Sequence, residues 1–75
     1  GIDIDDAGLF SISKNHINGS WDNGVEITDS GLFTIEDNRI RFNGSDGIDI
    51  ADSAAFLIDN NDINGNDDNG IDIHN

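Results

Sequence analysis

The sequence predicts an all-β fold, a parallel solenoid in which each 23-residue coil contributes three short strands. The first observation behind this prediction is a repeat. The opening segment GIDI recurs as GVEI at residue 24 and as GIDI at residues 47 and 70, a constant spacing of 23 residues. The second is that apolar and polar residues alternate within each repeat, which is typical of strands. A fixed period of this size indicates coils that bury their apolar faces against their neighbours.

The chain is predicted to be a single solenoid segment, residues 1–75, built from repeats 1–23, 24–46 and 47–69 and a partial repeat 70–75. No repeat contains an insertion or a deletion, so equivalent residues should stack in columns ~4.8 Å apart. The result is about three coils plus one strand. Because the chain starts and stops in the same part of the repeat, we expect it to be a fragment of a longer solenoid. Further coils or a partner chain should then cap its open ends.

The composition excludes several classes of function. With 16 acidic and 3 basic residues the formal net charge is −13, which repels phosphate backbones, so nucleic acid is not an expected partner. There is no cysteine, which excludes disulfides and thiolate metal sites. No apolar run reaches the length of a membrane span, so membrane insertion is not expected either.

The three strands of each repeat follow from their alternation. The first is the GIDI segment, in which the aliphatic side chains point inward and the acidic side chain points outward. The second is Phe10-Ser11-Ile12 and the third is His16-Ile17-Asn18, each with its equivalents in later repeats. Turn-forming Gly, Asn, Asp and Ser separate the strands, and the Asn and Asp side chains are expected to hydrogen-bond to their own backbone. The predicted inward columns are Ile2/Val25/Ile48/Ile71, Ile4/Ile27/Ile50/Ile73, Phe10/Phe33/Phe56, Ile12/Ile35/Ile58 and Ile17/Ile40/Ile63.

One corner carries asparagine in every complete repeat, namely Asn15, Asn38 and Asn61. Asparagine tolerates the left-handed backbone that a sharp corner needs, and stacked amides can bond along the column. These residues therefore predict a structural ladder.

In combination, the GIDI strands, the FSI, FTI and FLI strands and the asparagine ladder resemble the right-handed parallel β-helix repeat proteins of the pectate-lyase-like superfamily. The resemblance covers the whole chain and implies a parallel β-helix with right-handed coils. The alternative is a leucine-rich-repeat solenoid, because residues 10–17 also fit the L-x-L-x-x-N-x-L pattern of that class. Against that alternative, the GIDI segment alternates like a strand, and Ala7, Ser30 and Ser53 stand where another leucine is required. The β-helix is the favoured fold.

The outward residues of the first strands, Asp3, Glu26, Asp49 and Asp72, form the first candidate site. Like charges in one ladder destabilise a sheet, so four stacked carboxylates call for neutralisation. Ca²⁺ is the natural candidate because it binds several carboxylate and carbonyl oxygens. A solvated acidic face is the simpler interpretation, and no other cofactor is indicated.

The second candidate site is the basic patch of the first two coils, together with two aromatic residues just downstream. Its residues are Lys14, His16, Arg39, Arg41, Trp21 and Phe42. Ion pairs across neighbouring strands, such as Arg39 with Asp62, are the simpler explanation of the charges. The alternative is a ligand-binding surface, in which aromatic faces beside arginine hold a neutral or anionic sugar.

The function expected from the sequence is a noncatalytic extracellular or cell-surface module, a rod or adhesin-like binding platform that is stabilised by Ca²⁺ if the acidic residues bind it. A polysaccharide is its expected ligand. No catalytic residues are assigned, because the repeats have equal length and offer no long loop to wall a groove. The alternative follows from the resemblance, which implies a fragment of a polysaccharide lyase, glycoside hydrolase or uronate epimerase with Arg39 or Arg41 as base.

Overall fold

Ten strands account for the regular structure of the chain in a computed structural model, which describes all residues from 1 to 75. An Asp, Asn or Gly residue, which favours a turn, follows within two residues of the end of each strand. No helix long and apolar enough to cross a membrane is present. The strands are β1 (Ile2–Asp5), β2 (Gly8–Ser13), β3 (His16–Asn18), β4 (Val25–Thr28), β5 (Gly31–Glu36), β6 (Arg39–Arg41), β7 (Ile48–Ala51), β8 (Leu57–Asp59), β9 (Asp62–Asn64) and β10 (Ile71–His74).

The strands form three parallel sheets, one for each strand of the repeat. The first sheet has the order β1-β4-β7-β10, the second β2-β5-β8 and the third β3-β6-β9. Every strand pairs with the equivalent strand one coil away, in the register that the repeat predicts, as in Ile2 with Val25. The predicted solenoid of three strands per coil is confirmed, and the leucine-rich-repeat alternative does not describe this chain. Strand β8 begins at Leu57, one residue later than the predicted FLI segment, and ends at Asp59.

The core is the stack of predicted inward columns. Val25, Ile27, Ile35, Ile40, Ile48 and Ile50 have no solvent-exposed surface. The rings of Phe10, Phe33 and Phe56 are stacked in parallel, with centroids 4.8 and 5.1 Å apart. Most inward residues of the end coils are half-buried or exposed, because they have a neighbouring coil on one side only. Ile12 and Ile17 of the first coil are the exceptions, and both are buried.

The asparagine ladder is also confirmed. Asn38 is buried, and its Nδ2 donates to the Ile12 carbonyl at 2.9 Å and to Asn61 Oδ1 at 3.0 Å. Its Oδ1 accepts from the Asn15 backbone N–H at 3.0 Å and from Asn15 Nδ2 at 3.2 Å. One amide thus satisfies polar groups of both neighbouring coils, which accounts for asparagine at this corner in every coil.

Side chains at three further corners make the same kind of bond between coils. The sequence predicted only hydrogen bonds from turn side chains to their own backbone, whereas these side chains also bond to the backbone of the neighbouring coil. The Ser20 N–H donates to Asn43 Oδ1, the Asp46 N–H to Asn23 Oδ1 and the Ala7 N–H to Ser30 Oγ. These ladders had a sequence signal, since small polar residues recur at each of these repeat positions.

Left-handed backbone bends the chain at four points of each coil. The φ angles there lie between 53° and 72°, so each position turns the chain sharply. Most of the residues are Asp, Asn or Gly, which tolerate this conformation. The four columns are Asp6/Asp29/Asp52, Leu9/Leu32/Ala55, Lys14/Asp37/Asn60 and Gly19/Phe42/Gly65.

Candidate functional site

The predicted acidic residues stand in a single row on the outward side of the first sheet, and we call this row the acidic column. Asp3 is paired with Glu26, Glu26 with Asp49, and Asp49 with Asp72. The strand register alone determines this arrangement, because side chains on one face of parallel strands align directly. The column therefore concentrates negative charge in neighbouring coils.

Asn23 contacts two members of the acidic column. Its Nδ2 donates to Glu26 Oε1 at 2.7 Å and lies 3.4 Å from Asp49 Oδ2. Asn23 is held in place by its own Oδ1, which accepts from the Asp46 backbone N–H at 2.9 Å. A neutral amide supplies hydrogen bonds but no positive charge, so it offsets the repulsion between the carboxylates only in part.

His74 lies beside the last residues of the acidic column, in the final strand β10. Its Nε2 lies 2.8 Å from Asp49 Oδ1, in the preceding coil, although no earlier repeat carries a histidine at the equivalent position. The hydrogen bond to Asp49 raises the pKa of His74 above its usual value, with smaller contributions from the charges of Asp49, Asp72 and Asp52 and some opposition from desolvation. A signal was available, because His74 follows Asp72 by two residues and so shares its face of the strand.

The potential metal ligands at this end are Asp49, Asp72 and His74, whose ligand atoms lie within 4.8 Å of one another. The two carboxylates suit Ca²⁺, and the imidazole nitrogen suits a transition-metal ion. Asp49 and Asp72 thus fit the predicted role, and His74 adds a ligand type that Ca²⁺ does not prefer.

Asp62 contacts both arginines of the predicted basic patch. Arg41 Nη2 lies 2.6 Å from Asp62 Oδ2, and Arg39 Nε lies 3.9 Å from the same oxygen. The hydrogen bond from Arg41 holds the pKa of Asp62 below its usual value, against some desolvation, and the charges of Arg41 and Arg39 add to the shift. Arg41 Nε is buried without a hydrogen-bond partner, so this pair is held through a terminal nitrogen. The ion-pair interpretation of the arginines agrees with these contacts.

Lys14 and His16 share a shallow polar cleft with Arg39 and Asp62. The register places Arg39 between His16 and Asp62, as the sequence predicted. No apolar residue lines this cleft, so it has no surface on which a sugar ring could stack.

Trp21 and Phe42 line a different surface cleft, of about 420 Å³, which we call the aromatic cleft. The Trp21 side chain is 96% exposed and Phe42 is 66% exposed. The Phe42 ring lies against Gly65, where a Cβ atom would come within 2.7 Å of ring carbons. The cleft is therefore an open surface in which two exposed aromatic rings lie among polar and glycine residues, with Gly65 beneath the Phe42 ring.

Phe42 has an unfavourable backbone conformation. Its φ is 56°, and the equivalent residues of the other coils are Gly19 and Gly65, with φ of 72° and 68°. A bulky residue in the left-handed region is uncommon and costs about 1–2 kcal/mol. Neither burial nor backbone geometry explains why an aromatic residue occupies this position.

The structure thus divides the predicted ligand-binding set into two groups. Trp21 and Phe42 line the aromatic cleft, whereas Lys14, His16 and Arg39 line the polar cleft, and the two linings share no residue. The sixth predicted residue, Arg41, lines neither cleft. Trp21 belongs to the corner before β4 and Phe42 to the corner after β6, so stacking of the coils brings them together.

One family model, described as a right-handed β-helix region, matches the chain over residues 1–75. No curated protein and no solved structure shows a significant match.

Proposed function

Because the chain belongs to the right-handed β-helix family over its whole length, we propose that it is a noncatalytic structural and binding module of an extracellular protein. The aromatic cleft is its ligand-binding surface, and a saccharide is the class of ligand. The exposed pair Trp21 and Phe42 is the observation that carries this proposal.

The physical support for a saccharide comes from the shape and chemistry of the cleft. Sugar rings have apolar C–H faces that pack on aromatic rings, and their hydroxyls bond with polar groups around the rings. Ser20, Asn43 and Asp67 line the same cleft and offer such groups. An aromatic residue occupies position 42 although its φ is unfavourable, and such strain is most often retained at functional positions.

Support for a structural rather than a catalytic role comes from the uniform coils. The three complete repeats have equal length, and polar ladders close equivalent corners of successive coils. A catalytic centre needs unlike residues that converge in a walled groove. The enzyme alternative requires Arg39 or Arg41 as a base, but both arginines are engaged by the Asp62 carboxylate, at nitrogen–oxygen distances of 3.9 and 2.6 Å.

The test is a binding titration combined with a search for cleavage. A neutral xylo-oligosaccharide and an acidic oligogalacturonate are titrated separately into the chain, with Trp21 fluorescence and calorimetry as readouts, and the recovered sugars are analysed by chromatography. We expect at least one sugar to bind and to be recovered intact. The Trp21→Ala variant should lose at least about tenfold in affinity, because a stacking aromatic is removed.

Arg39→Gln is the matched control, because Arg39 lines the polar cleft instead, and it should leave the affinity unchanged. Cleaved sugar would favour the enzyme alternative. Equal loss in the two variants, or no binding of either sugar, would contradict the assignment of the aromatic cleft.

A further inference from the structure

We infer that the outward face of the second sheet is a docking surface for a partner protein segment that combines apolar side chains with lysine or arginine. This surface is separate from the aromatic cleft. Its apolar part is formed by Leu9, Leu32, Ala55 and Leu57, which we call the leucine stripe.

The leucine stripe is continuous across the coils. Leu9 and Leu32 occupy the same position of successive coils, because the residues on either side of them are paired, Gly8 with Gly31 and Phe10 with Phe33. Ala55 is the equivalent residue of the third coil. Leu57 is paired with Thr34, two residues beyond Leu32, and so widens the stripe at its far end.

These side chains are left largely in water. Leu9 is 81% exposed, Leu32 61% and Leu57 54%. A single exposed leucine needs no explanation, but neighbouring ones on one sheet face form a patch of the kind that interaction sites use.

The backbone gives an independent reason to regard the leucine stripe as functional. Leu9 has φ of 53° and Leu32 has φ of 56°, in the left-handed region that disfavours branched side chains. At the comparable bends before and after the stripe the chain uses only Asp, Asn and Lys. Leu9 and Leu32 are therefore both unfavourable in two ways, because each has a strained backbone and each exposes an apolar side chain to water. Such strain is typically retained where function requires the side chain.

Charge identifies the kind of partner. The exposed aspartates Asp6, Asp29 and Asp52 precede the stripe by three residues in each coil, and Glu36 and Asp59 follow it on the same sheet. An apolar strip with acidic edges is complementary to a segment with an apolar centre and basic edges. A second copy of this chain is disfavoured, because each copy carries a formal charge of −13.

The test uses two labelled synthetic peptides of equal length and charge. One alternates leucine with lysine, and in the other serine replaces every leucine. Fluorescence anisotropy at physiological ionic strength measures binding of each peptide to the wild-type chain and to two variants. The double variant Leu9→Asn/Leu32→Asn removes the apolar side chains and installs a residue that tolerates positive φ, so it should fold. The control variant Phe42→Asn makes the same change at a strained position outside the stripe.

We expect the leucine–lysine peptide to bind the wild type at least about tenfold more tightly than it binds the double variant, since two buried leucine contacts are lost. Phe42→Asn should bind that peptide as the wild type does. Equal binding of both peptides, or equal loss in both variants, would overturn the inference. Sedimentation that shows a wild-type dimer abolished by the double variant would also overturn it, because the occupant would then be a second copy.

Discussion

Among single residues, those at the left-handed bends show where the sequence sacrifices stability, because some of these positions hold residues that a positive φ disfavours. Four positions in each coil have positive φ, and most hold residues that tolerate it. The exceptions are Leu9, Lys14, Leu32, Phe42 and Ala55; of these, Leu9, Leu32 and Phe42 are the large apolar residues, and all three are exposed. The large apolar residues at these strained positions are therefore the ones that the proposed binding surfaces use.

Replacing Phe42 by Asn should raise the free energy of unfolding by up to about 1 kcal/mol, because asparagine relieves the strained φ and little buried surface is lost. Urea denaturation followed by circular dichroism measures the change. Trp21→Asn is the matched control, since it removes an exposed aromatic residue without a positive φ, and it should leave stability within about 0.5 kcal/mol. A larger loss in Phe42→Asn than in the control would mean that packing of the ring on Gly65 outweighs the strain.

The Arg41–Asp62 contact predicts a pH effect. The pKa of Asp62 is lowered from its ordinary value of 3.8, so the contact stabilises the fold above that pH and is lost as the pH falls through the lowered pKa. Arg41→Gln should return the Asp62 pKa towards 3.8. A carbon-13 NMR titration of the Asp62 carboxyl group measures both values. Arg39→Gln should shift it less, because Arg39 lies 3.9 Å from Asp62 and Arg41 lies 2.6 Å away; the reverse order would refute this account.

At the scale of elements, each strand is too short to be stable alone, and the corner ladders connect successive coils at the ends of the strands. The bonds run from one coil to the equivalent position of the next, as in the Asn38 N–H, which donates to Asn61 Oδ1 at 3.0 Å. A side chain in such a ladder satisfies backbone groups that the sheets leave unpaired at the bends. The ladders thus continue the pairing pattern of the sheets through the corners.

Asn38→Ala should therefore destabilise the chain by about 3 kcal/mol, since it leaves the Ile12 carbonyl and the Asn15 N–H without their partners in a buried corner. Chemical denaturation provides the measurement. Asn15→Ala is the control at the first coil, which has a neighbour on one side only, and it should cost about 1 kcal/mol. If the two variants lost equal stability, the ladder would not act through its buried centre.

In the whole molecule, the buried core and the negative charge are distributed differently. The residues without exposed surface belong to the two central coils, whereas the acidic column runs through all four strands of the first sheet. Apolar stacking therefore stabilises the centre, and carboxylate repulsion opposes stacking along the entire length. A cation bound between these carboxylates would reduce their repulsion directly.

If the acidic column binds Ca²⁺, the thermal midpoint should rise across a Ca²⁺ titration at constant ionic strength. A ligand that binds only the folded chain adds about 2.7 kcal/mol at one hundred times its Kd. Asp49→Asn should abolish the rise, because Asp49 contacts both Asn23 and His74 at the centre of the site. Asp22→Asn, on an exposed corner residue outside the column, should retain it. A shift matched by Mg²⁺ or NaCl would leave the column as a solvated acidic face.

The coil period, the three strands of each coil, the inward columns and the Asn15/Asn38/Asn61 ladder could all be predicted from the amino-acid sequence. The physical reason is that an uninterrupted repeat places equivalent residues one coil apart, and alternation with period two assigns each strand residue to one face. The in-register acidic column and the position of Arg39 between His16 and Asp62 follow from the same rule.

The side-chain directions at the corners and the diagonal contacts between coils could not be predicted in this way, because they depend on the folded arrangement of the coils. Alternation stops where φ turns positive, so the direction of Leu9, Leu32 and Phe42 could not be obtained from the pattern. The contacts of His74 with Asp49 and of Arg41 with Asp62 join residues that are not paired in the strand register. Such contacts depend on side-chain reach and on the space left by smaller neighbours such as Ala51, which only the folded stack of coils defines.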